Sequence, residues 1–472
     1  MSEQGSKTDE DLAFLSLVEV AARIRTGDLS PVTYTQCLLD RIGAHDQQFD
    51  SFLRVLSESV LREAEAAERA VLAGETLGPL HGVPFGLKDI IDAAGLPTTA
   101  HSQILAQQPP KTDDAAVTKR LRAAGGILLG KMATHEFALG GPSFDLPWPP
   151  ARNPWNRERF PGGSSSGSGV AVAAGFLPMA LGTDTGGSVR NPATACGIVG
   201  MKATYGRVSR QGVVPLSYSL DHVGPMTRTV ADNALMLNVL AGHDPTDPAS
   251  ADVPVADYAS QLNHGVKGLR IGILRHFHNR DMIADPVVAT AIDEAVRVLQ
   301  ELGAEMVEIE TEPLETYSTC NRVILVSEAY AMHRNWLAER PNEYSASFLE
   351  RVLPGAFLTA DDYVDALRLR RKLTVGFNQT IRELDGVIVA SSMDPPFVID
   401  DAAEVALKYS RQARAPFNLT GNPALSLPIG FDGDGLPLAM QIVAGNFQEA
   451  MIYRIAATYE AATIWHGRRP QL

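Results

Sequence analysis

The sequence predicts an α/β fold in which helices pack on a β-sheet. Short apolar runs of strand length alternate with helical patterns along most of the chain. Hydrophobic residues make up 45% of the 472 residues, enough for a sizeable core. No internal repeat and no low-complexity linker divides the chain. We therefore expect one compact domain with an insertion.

The chain begins with a predicted helical lead-in over residues 10–75. Apolar residues follow a helical spacing from Ser16 to about Gly74, with breaks at Gly27 and at Ser30 and Pro31. This pattern favours several helices in succession. We expect them to precede the sheet.

The predicted core covers residues 76–245, where the strand-like runs GVPFGLKD, ILLGK and MALGTD alternate with the helical patterns AVTKRLRAAG and SGVAVAAGF. Residues 250–410 form a predicted variable region, in which 311–385 is mostly helical and polar and is a candidate cap. The stretch 411–472 returns to the core, where ALSLPIGF and LPLAMQIVAG flank the turn DGDG as a hairpin.

Composition excludes several classes of protein. Lys and Arg number 41 against 55 Asp and Glu, the net charge is −14, and no basic block occurs, so we expect neither nucleic acid nor an anionic membrane as a partner. The three cysteines suit neither a disulfide framework nor a metal site, which favours a cytoplasmic protein. The polar N-terminus predicts no signal peptide, and no apolar run is long enough to span a membrane.

Three short motifs are poor matches to known sites. GGILLGKM, from Gly125 to Met132, lacks the hydroxyl and the glycine-rich cradle of a phosphate loop. The GxSxG pattern at 163–167 has no strand before it, as a nucleophile elbow requires. His135 and Glu136 begin no HExxH pair, and no SxxK pattern occurs. We predict no metal and no cofactor.

The stretch GTDTGGSVR carries the strongest chemical signal. Gly186 and Gly187 leave the backbone uncovered, so N–H groups from Thr185 to Ser188 can converge on an oxygen that becomes negative. Ser188 then lies beside an oxyanion hole as a candidate nucleophile. A glycine turn with a solvated serine is the alternative at this point.

Two further residues can join Ser188. A predicted helix at 167–176, rising roughly 15 Å, and a strand at 178–183, returning roughly 20 Å, bring Ser164 to the same end of the sheet. Lys88 ends a strand in which Pro84 and Gly86 share its face and clear space beside the ammonium. A solvated lysine is the alternative, but burial would lower the pKa and make the amine a base.

The run PGGSSSGSGVAVAAGFLPMALGTDTGGSVRNPATACGIVGMKATYGRVSRQG resembles the signature segment of the amidase signature family of serine hydrolases, and GVPFGLKD resembles its lysine strand. The resemblance extends from Ser16 to the C-terminal ATIWHGRRP and is densest over 76–240. It implies the amidase-signature fold, an α/β fold with a central twisted mixed β-sheet, helices on both faces and a mostly helical variable cap.

The resemblance also implies a Ser-cisSer-Lys triad. Ser188 would be the nucleophile, Ser164 the bridging serine after a cis peptide bond, and Lys88 the base. The oxyanion donors would be Thr185, Gly186 and Gly187, and the supporting residues Ser165, Asp184 and Arg190. Ser166 and Ala203 depart from the family pattern and affect local loop shape only.

We expect a serine hydrolase that cleaves a C–N bond through an acyl-enzyme on Ser188. The expected partner is a small-molecule amide, carbamate or urea-type substrate, with no nucleic acid, no membrane and a possible homodimer. Apolar side chains would form the substrate pocket, unless they are core: Phe137, Leu139, Phe144, Trp148, Met393 and Phe397.

The alternative is the glutaminase (A) subunit of a tRNA-dependent amidotransferase, in which GRVSRQG and the NPW at 153–155 also occur. That interpretation requires a carboxylate and an arginine for the charged end of glutamine. In the segment 410–425, the expected acidic position holds Arg411.

Overall fold

The computed structural model describes residues 9–472, and one mixed β-sheet of eleven strands runs through it. The polar stretch 1–8, part of the N-terminus in which we predict no signal peptide, lies outside the described residues. In chain order, the strands β1 to β11 are Phe52–Val55, Pro84–Lys88, Ile127–Met132, Met179–Asp184, Val199–Lys202, His222–Thr227, Arg270–Ile273, Glu305–Glu308, Gly386–Ala390, Ala424–Phe431 and Pro437–Val443.

Helices pack around this sheet. In chain order, α1 to α15 are Asp9–Ala13, Leu17–Thr26, Pro31–His45, Ser57–Leu72, Ala116–Ala123, Ser166–Ala173, Arg190–Cys196, Val230–Leu240, Pro286–Glu301, Leu314–Glu339, Ala346–Val352, Ala360–Thr380, Ala402–Lys408, Ala415–Thr420 and Glu449–Ala462. The predicted α/β class with a large central mixed sheet is confirmed.

The strand order across the sheet is β1-β3-β2-β4-β6-β5-β10-β11-β9-β7-β8. β2 lies between β3 and β4 and runs parallel to both, whereas β4 and β6 are antiparallel. Every residue of β2, β3 and β4 is buried, which requires cover on both faces of the sheet. These three strands end at the site described below.

One strand lies where the sequence predicts only helices. β1 falls within the predicted lead-in over 10–75 and pairs antiparallel with β3 at the sheet edge, with an irregular register between Phe52 and Arg54. Its four residues are too few for a period of two to stand out between two long helices. The division into lead-in, core, cap and C-terminal return stays a prediction.

A buried carboxylate joins the segment after β3 to the region of α10 and α11. Glu136 follows β3 and accepts hydrogen bonds from Ser102 Oγ (2.5 Å) and from the N–H (2.8 Å) and Oγ (2.7 Å) of Ser345. Ser345 caps α11 by accepting from the N–H of Phe348. Phe137 packs beside this joint against His333 of α10. Together these contacts fix α10 and α11 above the ends of the central strands.

Within residues 9–472, no helix is both long and apolar enough to cross a lipid bilayer. None of the three cysteines in this part of the chain forms a disulfide. The described residues also contain no cluster of His, Cys, Asp or Glu arranged to hold a metal ion.

Candidate active site

Lys88 is a buried amine in contact with two hydroxyl groups. Its Nζ lies 2.7 Å from Ser164 Oγ and 2.8 Å from Thr183 Oγ1, and the side chain has no exposed surface. Burial lowers the pKa of Lys88 to about 7, although the charges of Asp221 and Asp184 act in the opposite direction. A large fraction of the amine is therefore neutral near neutral pH.

Gly86, on the same face of β2 as Lys88, does not clear space beside the amine as the sequence predicts. A Cβ on Gly86 would lie 2.6 Å from Leu177 Cδ1 and 2.7 Å from Met132 Sδ. The space that Gly86 leaves is therefore filled by apolar side chains and does not surround the amine. Gly86 acts by allowing close packing on β2, and this packing excludes water from Lys88.

The loop before α6 holds Ser164 and Ser165. The peptide bond between Gly163 and Ser164 is cis, as the resemblance implies, and the N–H of His135 donates to the Ser164 carbonyl at 3.0 Å. Ser165 donates its N–H to the Ser188 carbonyl at 3.3 Å, and its Oγ accepts the N–H of Thr183 at 3.2 Å. The serine loop is thus bonded both to β4 and to the segment that carries Ser188.

α6 and β4 are the two elements that connect the serine loop to the segment of Ser188. Both elements lie within one to three residues of their predicted positions. They return the chain to the same end of the sheet, so that Lys88, Ser164 and the Ser188 segment come together. Ser188 itself lines a cavity of about 470 Å³, together with Thr185, Gly186 and Gly187.

A buried ion pair supports the Ser188 segment. Asp184 at the end of β4 accepts from Arg190 NH2 at 2.9 Å and from the N–H of Val189 at 3.1 Å. Arg190 also donates to Gln441 Oε1 at 2.6 Å and to Asn418 Oδ1 at 2.7 Å. Burial raises the pKa of Asp184, but Arg190 outweighs it and holds the pKa well below its ordinary value. This network joins β4, α7, β11 and α14 around the site.

One predicted oxyanion donor is already engaged. The N–H of Gly187 donates to Asp184 Oδ1 at 2.8 Å, and Gly187 has a φ of +128°, which favours glycine. This N–H group is therefore directed at the supporting carboxylate. Among the described residues, the N–H groups of Gly186 and Ser188 donate to no protein acceptor, which leaves them for the cavity.

Of the six predicted pocket residues, the structure places only Leu139 on the wall of this cavity. The other five lie away from this cavity, either in the core or at the surface. Phe137 packs in the His333 cluster, Phe144 is 54% exposed beneath Arg152, Trp148 meets the edge of His101, Met393 is fully buried, and Phe397 stacks on Phe160.

The cavity wall is more polar than the sequence predicts. Its charged members come from α10, α11 and the start of α14: Arg322, Glu350, Arg351 and Arg414. Asn321 of α10 also lines it and donates to the Thr185 carbonyl at 3.4 Å. None of these residues lies in a recognisable motif, and only the tertiary fold brings them to Ser188. No pattern in the sequence indicates them.

Arg411, at the position where a glutamine site would need an acidic residue, does not line the cavity. Its Nε lies 2.6 Å from Asp394 Oδ2, and its NH2 donates to the Ile283 carbonyl at 2.7 Å. Arg411 is thus a half-buried ion-pair partner outside the site.

Comparison with known proteins defines the class. The Amidase family model matches residues 33–453. The chain therefore belongs to the Amidase family, and it is an enzyme that hydrolyses the C–N bond of amides. The resemblance to amidase signature enzymes is confirmed.

Particular relatives extend this result. The A subunit of the Glutamyl-tRNA(Gln) amidotransferase of Chloroflexus aggregans is 38% identical over 98% of this chain and 99% of its own length. The solved structure of the same subunit from Thermotoga maritima matches with a TM-score of 0.78 and 31% identity, over 98% of this chain and 96% of that one. A chain described under "An unexpected vestigial protein complex reveals the evolutionary origins of an s-triazine catabolic enzyme" has a TM-score of 0.90 and 31% identity, over 97% and 100%.

These relatives contradict the predicted partners. We expect from the sequence a small-molecule amide or carbamate substrate, no nucleic acid and a possible homodimer, whereas the relatives are named as one subunit of an amidotransferase acting on glutamyl-tRNA(Gln). The expectation was wrong because its exclusion of nucleic acid rested on the net charge of −14, and its preference for a small-molecule partner alone rested on Arg411 at the expected acidic position. The net charge of one subunit does not determine what an assembly binds.

Proposed function

We propose that this chain is the glutamine-hydrolysing A subunit of a tRNA-dependent amidotransferase. The observation that carries this proposal is similarity at 36–39% identity along at least 97% of the chain to proteins with that subunit's name. In this role the chain releases ammonia from glutamine for use elsewhere in the complex. The free cysteines support a cytoplasmic location for such a complex.

The proposed mechanism uses the contacts around Lys88. The neutral amine of Lys88 accepts the proton of Ser164 Oγ, which is 2.7 Å away, while Ser164 accepts the proton of Ser188. Ser188 Oγ then attacks the amide carbon of glutamine. The N–H groups of Thr185, Gly186 and Ser188 stabilise the negative oxygen, and Gly187 supports them through Asp184.

The C–N bond then breaks in the proposed mechanism. The proton returns through Ser164 to the leaving nitrogen, which departs as ammonia, and a glutamyl ester remains on Ser188. A water molecule gives its proton to the same relay and attacks the ester. Its hydrolysis releases glutamate and restores the serine hydroxyl, so atoms and protons balance over the cycle.

The test compares the chain alone with the chain in the presence of the other amidotransferase subunits, glutamyl-tRNA(Gln) and ATP. We expect ammonia release from glutamine, and transfer of the nitrogen to the tRNA-bound glutamate in the complete mixture. Ser188→Ala should lower both by at least about 10³-fold. Ser57→Ala, at an exposed helix start, is the matched control and should change neither.

The contrary result is equally specific. If the chain hydrolysed simple amides or anilides but released no ammonia from glutamine in any mixture, the proposed role within an amidotransferase would be wrong. The membership in the Amidase family would be unaffected.

A further inference from the structure

A second cavity, of about 140 Å³, adjoins the one that Ser188 lines. Leu216 lines both cavities, so they are neighbours in the fold. Thr183 lines the second cavity, and its Oγ1 is 2.8 Å from Lys88 Nζ. The carboxylate of Asp221 lines the second cavity as well. Asp221 therefore lies close to the reacting groups but outside the cavity of Ser188.

Asp221 binds the segment that holds the proposed oxyanion donors. Its carboxylate accepts from Thr185 Oγ1 at 2.6 Å and from the N–H groups of Leu216 at 2.9 Å and Ser217 at 3.1 Å. The Thr185 carbonyl accepts in turn from Asn321 at 3.4 Å. Thr185 is thus held at its hydroxyl and at its carbonyl. These two contacts limit the orientation of its N–H group, which the proposed mechanism directs at the oxyanion.

Asp221 also supplies negative charge to Lys88. Two carboxylates act on Lys88 through their charge, Asp221 and Asp184. Asp184 already forms a buried ion pair, whereas Asp221 forms none among residues 9–472. The arginine that lines the second cavity is also paired, with Asp247 at 3.3 Å. The charge of Asp221 therefore remains to compensate an ammonium on Lys88.

The proposed proton relay needs such a charge. When Lys88 accepts the proton of Ser164, a positive charge develops on a fully buried amine. A fixed carboxylate stabilises this charge, as in other sites where a third group supports the base. Burial raises the pKa of Asp221 to about 6, so most of this carboxyl is ionised at pH 7 and above. The other titratable side chains on the second cavity are Arg210, Tyr218, His222 and Asp247.

We propose that Asp221 is a positioning residue of the reaction, whose carboxylate fixes Thr185 for the oxyanion and stabilises the ammonium that forms on Lys88. It lines the second cavity and not that of Ser188, so it acts through these two residues. The inference rests on the proposed mechanism at Ser188 but not on glutamine as the substrate.

The test measures kcat and KM separately for the full chain, with any subunits that it needs, on glutamine and on pentanamide, an uncharged amide. Asp221→Asn should lower kcat by about 10- to 100-fold and change KM by less than about threefold, because the lost interactions are strongest in the transition state. The acid limb of the pH profile should also move to lower pH, since the charge that favours protonated Lys88 is gone. A residue that only supported the fold would not move this limb.

Asp247→Asn is the matched control, since Asp247 lines the same cavity but pairs with Arg210. It should keep kcat within about threefold of the unmodified chain and leave the acid limb in place. An equal effect of the two variants on kcat and on the limb would contradict the proposal.

A pair of variants at Thr185 tests the contact from its other side. Thr185→Ser keeps the hydroxyl that donates to Asp221, whereas Thr185→Val removes it. The serine variant should have a kcat at least about tenfold above that of the valine variant, the effect of a lost hydrogen bond to a charged group. Equal kcat values in these two variants would overturn the proposal even if Asp221→Asn failed to fold.

The two proposals fail in different ways. If pentanamide is cleaved with the expected dependence on Asp221 but glutamine is ignored in every mixture, the amidotransferase role is wrong and the role of Asp221 stands. If glutamine is cleaved and Asp221→Asn keeps both kcat and the acid limb of the unmodified chain, Asp221 has no positioning role. The amidotransferase role is unaffected by that result.

Discussion

At the scale of single residues, the state of Lys88 depends on what surrounds its amine. Thr183 and Ser164 supply two oxygen atoms, while burial removes water and lowers the pKa to about 7. The strand pattern predicts that Lys88 lies at a strand end with small residues on its face, but it gives Gly86 the wrong role. The contact between Gly86, Leu177 and Met132 joins residues far apart in the chain, and strand alternation alone does not reveal it.

Lys88 should impose an acid limb on activity. Below about pH 7 the amine gains a proton and cannot accept another, so kcat/KM on an uncharged amide should fall about tenfold per pH unit and level off above that pH. Lys88→Met should remove at least about 10³-fold of the activity at every pH. A pH profile on an uncharged amide measures both effects.

Asp221 is a second buried group near Lys88 whose titration could produce a similar acid limb. Burial raises the pKa of Asp221 to about 6, which is close to the pKa of Lys88. Burial lowers the pKa of His135 to about 3, so His135 does not titrate near this limb. Asp221→Asn should keep an acid limb but move it below pH 7, because the charge of Asp221 raises the pKa of Lys88 and the asparagine removes that charge. If that variant lost the limb, Lys88 would not be the titrating base.

The buried pair of Asp184 and Arg190 should matter for stability as well as for shape. Asp184→Asn leaves Arg190 buried without its anion, so the free energy of unfolding should fall by about 3–5 kcal/mol. Asp394→Asn removes the partner of Arg411, whose own side chain is 29% exposed, and should cost about 1 kcal/mol or less. Urea unfolding of the two variants measures both values. An equal loss of unfolding free energy in the two variants would show that burial of the Asp184–Arg190 pair adds nothing to its effect on stability.

At the scale of elements, the sequence predicts the helix and strand between Ser164 and Ser188 better than it predicts the walls of the cavity. α6 and β4 were found from hydrophobic runs bounded by glycines. The charged wall comes from α10, α11 and the start of α14, which only the tertiary fold brings to the cavity that Ser188 lines. Aromatic residues near the motifs were predicted as the wall, but they pack with one another or lie at the surface.

Glu136 is the joint on which that packing depends. Glu136→Ala removes the acceptor of three hydrogen bonds, one donated by Ser102 and two by Ser345, the N-cap residue of α11. Amide hydrogen exchange over 346–352 should then become at least about tenfold faster, because losing these contacts weakens the start of the helix. Exchange over α9 should stay unchanged as the internal control. Unaltered exchange in α11 would contradict the role of Glu136 as a joint.

At the scale of the whole molecule, the sheet explains why residues from distant segments meet. β2, β3 and β4 are adjacent although helices separate them in the chain, and β10 and β11 bring the C-terminal segment to β5. The alternation of strands and helices predicted the class of fold. It could not predict the strand order, since that order depends on which crossovers pack best, nor could it predict the edge strand β1.

The origin of the groups around Ser188 has a consequence for how enzymes of this architecture diversify. Lys88, Ser164 and Asp184 all belong to the segment before residue 190, whereas Arg322, Arg351 and Arg414 lie beyond residue 320. In the proposed mechanism, the groups that cleave the bond thus come from an earlier stretch of the gene than the charged side chains of the cavity wall. Substitutions confined to the later stretch would then change the charge of the cavity wall and leave Lys88, Ser164 and Asp184 in place.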